Sequence, residues 1–369
     1  YLALGVNTTG TRNVAVGALA LSSNTTANDN VAVGGGTSGV SYAALQSNTT
    51  GANNTAVGNG ALGANTTASA NSAFGYSALL DNTTGAANTA LGKDALRANT
   101  TGDYNIAVGT DCLTANTTGD SNTAMGLDAM LTNTTGNYNT AVGALALTNG
   151  NHSYNAAFGY QALKASTSGQ QNTAIGYQSC VALTTALYNS ALGLQSGRDV
   201  TTGSDNVFLG YRAGDGPSPS GSITSQSNNI VIGNNSSTNA YIKIDWTVTS
   251  DKRDKTDIEP LTMGLDLVNK LNPVTYRWDM RSDYENGKPD GTHKKEKLCG
   301  GLLAQDVEVL EREYGYKVED KTSILTDKNA DGNYGLTYSK FVPVLINAVK
   351  ELSSQVDELK TEIQTLKGE

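Results

Sequence analysis

The first 249 residues carry very little charge. Residues 1–249 contain no Glu, seven Lys or Arg and eleven Asp, whereas residues 250–369 contain eighteen Lys or Arg and twenty-three Asp or Glu. The formal net charge of −9 argues against nucleic acid as a partner, because nothing would offset repulsion from its phosphates. No apolar run approaches the roughly 18 residues that span a bilayer, so we expect no membrane insertion.

Residues that build many enzyme sites are also scarce. The three cysteines, Cys112, Cys180 and Cys299, are odd in number and far apart, which excludes a disulfide framework and a cysteine-based zinc site. The two histidines, His152 and His293, fall in different regions and leave little material for a His-dependent triad. We therefore expect no metal and no cofactor. Because the chain opens at Tyr1 without Met, we also expect it to be a fragment.

What the sequence does have is a repeat. A pentapeptide of the form Asn-x-Ala-x-Gly recurs, with Gly always fifth and an apolar residue always fourth. Most copies are 17 residues apart, one spacing is 16, and two are 24 and 23. An Ala-Leu pair follows in many units, and Asn-Thr-Thr-Gly or a relative separates them. The copies, of which the last is degenerate, begin at Asn13, Asn30, Asn54, Asn71, Asn88, Asn105, Asn122, Asn139, Asn155, Asn172, Asn189, Asn206 and Asn229.

This period predicts the coils of a β-solenoid or β-roll, with two short strands per unit joined by turns. Gly would supply positive φ, and Asn would occupy the left-handed region at turns. An interior of Ala plus one medium side chain buries too little apolar surface to stabilise a single chain. We therefore expect three chains packed around an axis in a rod about 60 Å long. The alternative is a disordered linker, and the fixed phase over thirteen units argues against it.

Several residues within the repeat have more than one interpretation. Cys112 and Cys180 occupy positions of the Ala-Leu pair and are interpreted as small buried apolar residues. The Asn-Thr-Thr triplets match glycosylation acceptors, but their place in every turn favours a structural role. Tyrosines that flank the pentapeptide could stack against sugars or form ladders that stiffen a sheet, and the ladder is favoured. These tyrosines are Tyr104, Tyr138, Tyr154 and Tyr188 before the Asn, and Tyr76, Tyr160, Tyr177 and Tyr211 after the Gly.

The composition changes at a short polar motif. Ser250 is followed five residues later by Lys255, the constellation of a Ser-Lys dyad, in which a neutral lysine amine accepts the hydroxyl proton. On spacing alone this signal is weak, because exposed Ser and Lys residues occur together in many proteins.

The surrounding residues strengthen the hypothesis. Ser-Asp-x-Arg-x-Lys followed by Asp-Ile-x-Pro-Leu, at 250–261, resembles the start of the peptidase S74 family, the intramolecular chaperone of endosialidases that also occurs in phage tail fibres and in myelin regulatory factor. Blocks at 301–307 and 338–352 continue the resemblance to the end of the chain, although Asp306 is more often Glu in such motifs. The repeats themselves resemble the heads of trimeric autotransporter adhesins and the shafts of some phage fibres.

The resemblance implies roles for single residues. Ser250 would be the nucleophile and Lys255 the general base, and the scissile bond would lie at or beside Thr249–Ser250. Asp251 and Arg253 match the motif as structural or electrostatic support.

A heptad pattern ends the chain and predicts a coiled-coil helix over 340–367. β-Branched residues at every a position and Leu at every d position favour two strands, whereas the resemblance implies three. One amphipathic helix lying on its own domain is the alternative. A calcium-like loop begins at Asp327 but has Tyr338 at its twelfth position, so we favour a hairpin turn through Asp331-Gly332. The seam consists of Val342, Leu345, Val349, Leu352, Val356, Leu359, Ile363 and Leu366.

Together these observations predict a mostly β protein with a repeat fibre at 1–235, a connecting segment at 236–249 and a small α+β chaperone at 250–369. We expect the distal part of a homotrimeric phage tail fibre in the virion, which binds a bacterial surface glycan or protein receptor and joins other tail proteins through a missing N-terminal region. The chaperone would be released in the host cytoplasm by one self-cleavage per chain. The alternative is a bacterial adhesin-type surface protein whose C-terminal domain trimerises without cleaving. Glycan degradation is not expected, because it needs paired carboxylates and 1–249 lacks Glu.

Overall fold

A computed structural model describes residues 2–39, 41–237, 239–243, 247–329 and 332–368. The chain divides into two compact units, 1–237 and 238–369. The first is a parallel β-solenoid, and the second combines helices with two small sheets. The expected mostly β fold class, a solenoid followed by a small α+β unit with a long C-terminal helix, is confirmed, whereas the expected trimer stays a prediction.

Each coil of the solenoid contributes one short strand to a single parallel sheet. Residues at the same repeat position pair with each other, as Ala73 does with Ala90. Each strand begins at the residue after the Asn of the pentapeptide, so the predicted phase is confirmed. Within the described residues the strands are β1 (Val14–Val16), β2 (Val31–Val33), β3 (Thr55–Val57), β4 (Ser72–Phe74), β5 (Thr89–Leu91), β6 (Ile106–Val108), β7 (Thr123–Met125), β8 (Thr140–Val142), β9 (Ala156–Phe158), β10 (Thr173–Ile175), β11 (Ser190–Leu192), β12 (Val207–Leu209) and β13 (Ile230–Ile232).

The expectation of a second strand in each coil was wrong. The Ala-Leu pair lies outside the strands, and its Leu adopts a left-handed conformation, with φ of 52° at Leu79 and 53° at Leu96. A residue with positive φ interrupts extended backbone, so this part of the coil is a turn.

Two columns of asparagine lie inside the solenoid, beside the buried Ala and Leu side chains. In the first column, Asn88 Oδ1 accepts a hydrogen bond from the backbone N–H of Asn105 at 2.8 Å, and Asn88 Nδ2 donates to the Gly102 carbonyl at 2.8 Å. In the second, Asn99 Nδ2 donates to Asn82 Oδ1 at 2.8 Å. These side chains are 0% exposed. Each column therefore bonds one coil to the next.

Asparagines were expected to adopt the left-handed conformation at turns. Asn53 and Asn228 do so, with φ of 61° and 63°, but the asparagines of the pentapeptide do not. The left-handed residue is the one before the pentapeptide Asn, with φ of 56° at Ala87 and 58° at Tyr104. The Asn of the Asn-Thr-Thr triplets is buried from Asn24 to Asn133, in line with a structural role for the triplets.

The second column changes character at the 16-residue coil. After Asn133, the equivalent Asn149 is exposed, and the imidazole of His152, 1% exposed, lies inside. Burial lowers the pKa of His152, whose Nε2 lies 2.9 Å from the Ser166 carbonyl. From Leu183 onward the column is aliphatic, and it ends in Val200 and Ile223.

The last coils have a different apolar core. Phe208 replaces the Ala of the strand and is 0% exposed. Its ring occupies the space beside Gly197 and Gly214, where a Cβ would lie 2.9 Å and 2.3 Å from ring carbons. The buried carboxylate of Asp215 accepts hydrogen bonds from Arg198 at 2.8 Å and from Arg212 at 2.5 Å.

The cysteines of the repeat behave as buried apolar residues. Cys112 and Cys180 are 0% exposed, and burial raises the pKa of each thiol to about 12. The expectation of inert core residues is confirmed for both.

The second unit packs around one cluster formed by Met263, Leu267, Val307, Leu325, Phe341 and Val344. The strands pair antiparallel, β14 with β15 and β16 with β17. Within the described residues its regular elements are α1 (Leu265–Lys270), β14 (Val274–Tyr276), β15 (Cys299–Gly301), α2 (Ala304–Glu313), β16 (Thr326–Lys328), β17 (Tyr334–Leu336) and α3 (Phe341–Lys367), with 3₁₀ turns at Lys252–Asp254, Arg281–Asp283 and Tyr338–Lys340.

The long C-terminal helix, predicted over 340–367, is observed as Phe341–Lys367. Its first turns pack on α1 through Val344 and Ala348, and its heptad seam is exposed. In the part of the chain that the structure describes, no helix is both long and apolar enough to cross a membrane. The turn expected through Asp331-Gly332 falls partly outside the described residues, since 330–331 are not described.

Candidate functional site

The structure brings the side chains of Ser250 and Lys255 together. Lys255 Nζ donates a hydrogen bond to Ser250 Oγ at 2.6 Å. The intervening residues form a 3₁₀ turn, Lys252–Asp254, which folds the chain back on itself. This distance lies within the range that a nucleophile and its base require. Thr249, on the other side of the expected scissile bond, is exposed.

The turn between the two residues is held by a local ion pair. Asp251 caps the turn, because its Oδ1 accepts a hydrogen bond from the Arg253 backbone N–H at 2.9 Å. The Arg253 guanidinium contacts the same carboxylate through Nη2 at 2.7 Å and Nε at 3.1 Å. These bonds hold the pKa of Asp251 below its ordinary value. The pair fixes the turn that brings Lys255 back to Ser250.

The environment of the pair limits its chemistry in a single chain. Ser250 and Lys255 are both exposed to solvent. A lysine accepts a proton only as the neutral amine, and burial, not water, favours that form. The isolated chain thus supplies the hydrogen-bonded pair but leaves it in water.

The three segments that carry the resemblance are joined by hydrogen bonds. The Tyr338 hydroxyl accepts from the backbone N–H of Leu302 at 2.9 Å. A Cβ at Gly301 would lie 2.5 Å from that hydroxyl oxygen, which explains the glycine. Asn347 Nδ2 donates to the Leu261 carbonyl at 2.9 Å. The helix block therefore contacts both of the other blocks.

Glu351, also on α3, fixes the start of α1. Its carboxylate accepts a hydrogen bond from the Leu265 backbone N–H at 2.7 Å. A Cβ at Gly264 would lie 2.1 Å from the same carboxylate. A larger residue at 264 would therefore displace the Glu351 carboxylate from this position.

Sequence reasoning missed a buried carboxylate that organises this unit. Glu311, on α2, is 0% exposed and accepts hydrogen bonds from the backbone N–H groups of Leu325 at 2.7 Å and Ile324 at 2.8 Å. The Thr326 hydroxyl donates to it at 2.5 Å and the Ser323 hydroxyl at 2.8 Å. Burial raises the pKa of Glu311, but these hydrogen bonds outweigh it and the pKa is lowered. Glu311 thus anchors the loop before β16.

Metal ligands do not cluster in the described residues, since no group of three or more His, Cys, Asp or Glu side chains is placed to hold an ion. Asp327 and Lys328 lie in β16, which pairs with β17.

Residues 250–316 match Peptidase_S74, described as chaperone of endosialidase. No curated protein and no solved structure matches the chain. The match begins at Ser250 and includes the Ser-Asp-x-Arg-x-Lys motif and the block at 301–307. The chain thus combines an N-terminal parallel β-solenoid with a domain at 250–316 that matches the Peptidase_S74 family, a family of self-cleaving peptidase type.

Proposed function

We propose that this chain is the distal part of a homotrimeric phage tail fibre that carries its own folding chaperone. The solenoid is the mature rod, and residues 250–369 align three chains while the coils form. Cleavage beside Ser250 then releases the chaperone in the host cytoplasm and leaves the rod in the virion. The observation that carries this proposal is the 2.6 Å bond between Lys255 and Ser250 at the first residue of the family match.

The reaction is one peptide-bond hydrolysis per chain. Ser250 Oγ attacks the carbonyl carbon of Thr249, and neutral Lys255 takes the hydroxyl proton. The carbon–nitrogen bond then breaks, and the proton passes from Lys255 to the departing amine of Ser250. Water hydrolyses the resulting ester, which restores the Ser250 hydroxyl and leaves a carboxylate on Thr249. One water molecule is consumed for one peptide bond.

Exposed apolar side chains in both units support an assembly of several copies. The seam of α3 is open to solvent, with Val349 66% exposed and Leu366 86% exposed. Along the solenoid, outward residues of the strands form a stripe that includes Leu91 and Leu192, 50% and 53% exposed. Apolar patches that extend over a surface in this way mark sites of association. Packing of three chains would cover it.

Assembly would also control the chemistry. Neighbouring chains that exclude water from the exposed pair would favour the neutral amine of Lys255. Cleavage would therefore wait until the three chains have come together.

Intact mass of the purified protein tests the cleavage. The wild type should give two fragments that divide next to Ser250, the smaller one spanning 250–369. Ser250→Ala and Lys255→Ala should remain full length, whereas Lys252→Ala, which changes another exposed lysine of the same turn, should still cleave. Light scattering of the Ser250→Ala protein should give about three chain masses. A wild-type trimer that stays intact would contradict self-cleavage and favour the adhesin-type alternative. The solvent exposure of Ser250 and Lys255 in the single chain is the observation that supports this alternative.

Refolding tests the chaperone role. Long-range pairing between coils is slow to nucleate, so a rod that has lost its template should be trapped kinetically. The Ser250→Ala trimer should recover after denaturant is diluted away, whereas the cleaved rod should not. Equal recovery of the two proteins would contradict the chaperone role and would mean that residues 250–369 only hold three chains together.

A further inference from the structure

The residue directly before each pentapeptide Asn forms a column along the rod, which we call the turn column. All of its members have φ between 55° and 63°. The backbone at this position is therefore similar in every coil. The side chains leave it at equivalent points, one coil spacing of about 4.8 Å apart. The members are Arg12, Asp29, Asn53, Ala70, Ala87, Tyr104, Ser121, Tyr138, Tyr154, Gln171, Tyr188, Asp205 and Asn228.

Four tyrosines occupy this column although the fold does not need them there. A left-handed conformation is unfavourable for a bulky side chain and is adopted most readily by Gly, Asn and Asp. Asp29, Asn53 and Asp205 fill the same position in other coils. The backbone at this position therefore does not explain why four coils carry a tyrosine there.

Between two of these tyrosines the column holds only a short side chain. Tyr138 and Tyr154, one coil apart, stack with centroids 5.3 Å apart and planes inclined by 13°. Tyr104, 66% exposed, precedes Tyr138 by two coils, with only the short side chain of Ser121 between them. Two coil spacings separate the rings by about 10 Å. We call the space between Tyr104 and Tyr138, above Ser121, the tyrosine slot.

The column on the other side of the strand lacks such a gap. There Tyr160 and Tyr177 stack at 5.4 Å, and Leu194 occupies the position between Tyr177 and Tyr211. A stiffening ladder is filled in this way. Ser121 leaves its place unfilled, so a ladder does not explain Tyr104.

Two hydrogen-bond acceptors directly precede residues of the slot. Asp103 and Asp120 directly precede Tyr104 and Ser121. Asp103 Oδ1 accepts from the Ala86 backbone N–H at 2.6 Å, and Asp120 Oδ1 accepts from the Asp103 backbone N–H at 2.8 Å. These bonds hold both carboxylates against the backbone. Within the part of the chain that the structure describes, their Oδ2 atoms accept no further hydrogen bond.

We propose that the tyrosine slot binds one pyranose ring of a neutral polysaccharide. A ring midway between Tyr104 and Tyr138 would lie about 5 Å from each, within the roughly 4.5–7 Å range of aromatic stacking. The C–H groups on both faces of the sugar would contact the tyrosines, and its hydroxyls would donate to Asp103 and Asp120. The two carboxylates disfavour anionic sugars. This inference rests on the proposed function, because it identifies the kind of surface glycan that the rod contacts.

Fluorine NMR of the full-length protein labelled with 3-fluorotyrosine tests the slot. The probes are three neutral oligosaccharides, isomaltohexaose, cellohexaose and mannohexaose, each added to millimolar concentration. Tyr104→Asn and Tyr138→Asn assign the two resonances and suit the backbone, because Asn53 already occupies this column. We expect at least one probe to shift both resonances of the wild type, and each of these two variants to lose binding.

Two further variants separate a slot from a ladder. Ser121→Tyr fills the gap with a stacked ring and should abolish the shifts while the rod stays folded. Tyr211→Leu is the matched control, because Leu127 and Leu194 occupy the same position in other coils, and it should bind like the wild type. Shifts that persist in Ser121→Tyr, or no shift with any of the three probes, would overturn the proposal. Cleavage at Ser250 is read from the mass of the same samples, so failure of the slot and failure of the chaperone function are distinguishable.

Discussion

The buried asparagine ladder makes a prediction that depends on position. Asn99, in the middle of the second column, donates to Asn82 Oδ1 and accepts from Asn116 Nδ2, both at 2.8 Å. Asn133, the last rung, donates to Asn116 Oδ1 at 3.3 Å, but its own Oδ1 is buried without a partner. Replacing each of the two by Leu, the residue found further along at 183, should therefore have unequal effects.

The magnitudes follow from the groups left unpaired. Asn99→Leu leaves two buried polar atoms without partners, Oδ1 of Asn82 and one N–H of Asn116, at about 1–3 kcal/mol each. Burial of the leucine returns about 2 kcal/mol. Asn133→Leu leaves one atom unpaired, Asn116 Oδ1, but removes the unpaired Oδ1 of Asn133, so the number of unpaired atoms does not change. Burial of the leucine is common to both variants, so Asn99→Leu should be less stable than Asn133→Leu by about 2–6 kcal/mol.

Thermal unfolding followed by circular dichroism measures this difference. Both variants are made in the Ser250→Ala background, so that cleavage does not change the unfolding species, and are heated at one fixed rate. For a unit of this size, about 2–6 kcal/mol corresponds to roughly 4–24 °C between the two midpoints. Equal midpoints would mean that the amide bonds contribute little, and a lower midpoint for Asn133→Leu would refute the reasoning.

Three more predictions follow from buried groups. Gly214→Ala should destabilise the rod by about 1–3 kcal/mol, because a Cβ there meets the ring of Phe208, and Phe208→Leu in the same chain should restore part of the loss in thermal melts. The pKa of Glu311 is lower in the folded than in the unfolded chain, so the second unit should lose stability as pH falls below 4.5, the ordinary pKa of a Glu. Hydrogen exchange of residues 304–313 measures this loss, and the pH dependence should be weaker in Glu311→Gln. The pKa of His152 is also lowered from 6.5. As pH falls, the imidazole is therefore protonated in the unfolded chain before it is protonated in the folded chain, which favours unfolding. The rod should melt at a lower temperature at about pH 5.5 than at about pH 7.5, and His152→Gln should reduce that difference.

The phase of the coils could be predicted from sequence, but the role of the asparagines could not. A repeat of Asn-x-Ala-x-Gly marks where each strand begins. Whether Asn88 bends the chain or bonds to the next coil depends on how coils stack, which no single repeat contains. The same limit applies to the Leu of the Ala-Leu pair, since its apolar side chain indicated burial and not the left-handed backbone seen at Leu79.

The candidate site shows a similar division. A spacing of five residues does not say whether Ser250 and Lys255 meet. They meet because Asp251 caps a 3₁₀ turn, and Asp before a helical turn is a recognisable signal. Glu311 had no such signal, because it is one of many acidic residues after 250. Its partners lie more than ten residues away and are adjacent only in the folded chain.

The irregular coils have a consequence for the register in which the coils of the rod stack. A regular coil offers the same Asn, Ala and Leu to its neighbour as every other regular coil, so a coil stacked one place too far would still find matching partners while 17 residues looped out. Such an error shifts the rod by only about 4.8 Å and leaves no local contact unsatisfied. The ring of Phe208 needs glycine at 197 and 214, because a Cβ at either position would overlap it, and the buried His152 lies in the shortened coil. These departures from the repeat distinguish one position along the rod from another, because a slipped stack would place them beside regular coils that lack the matching residues.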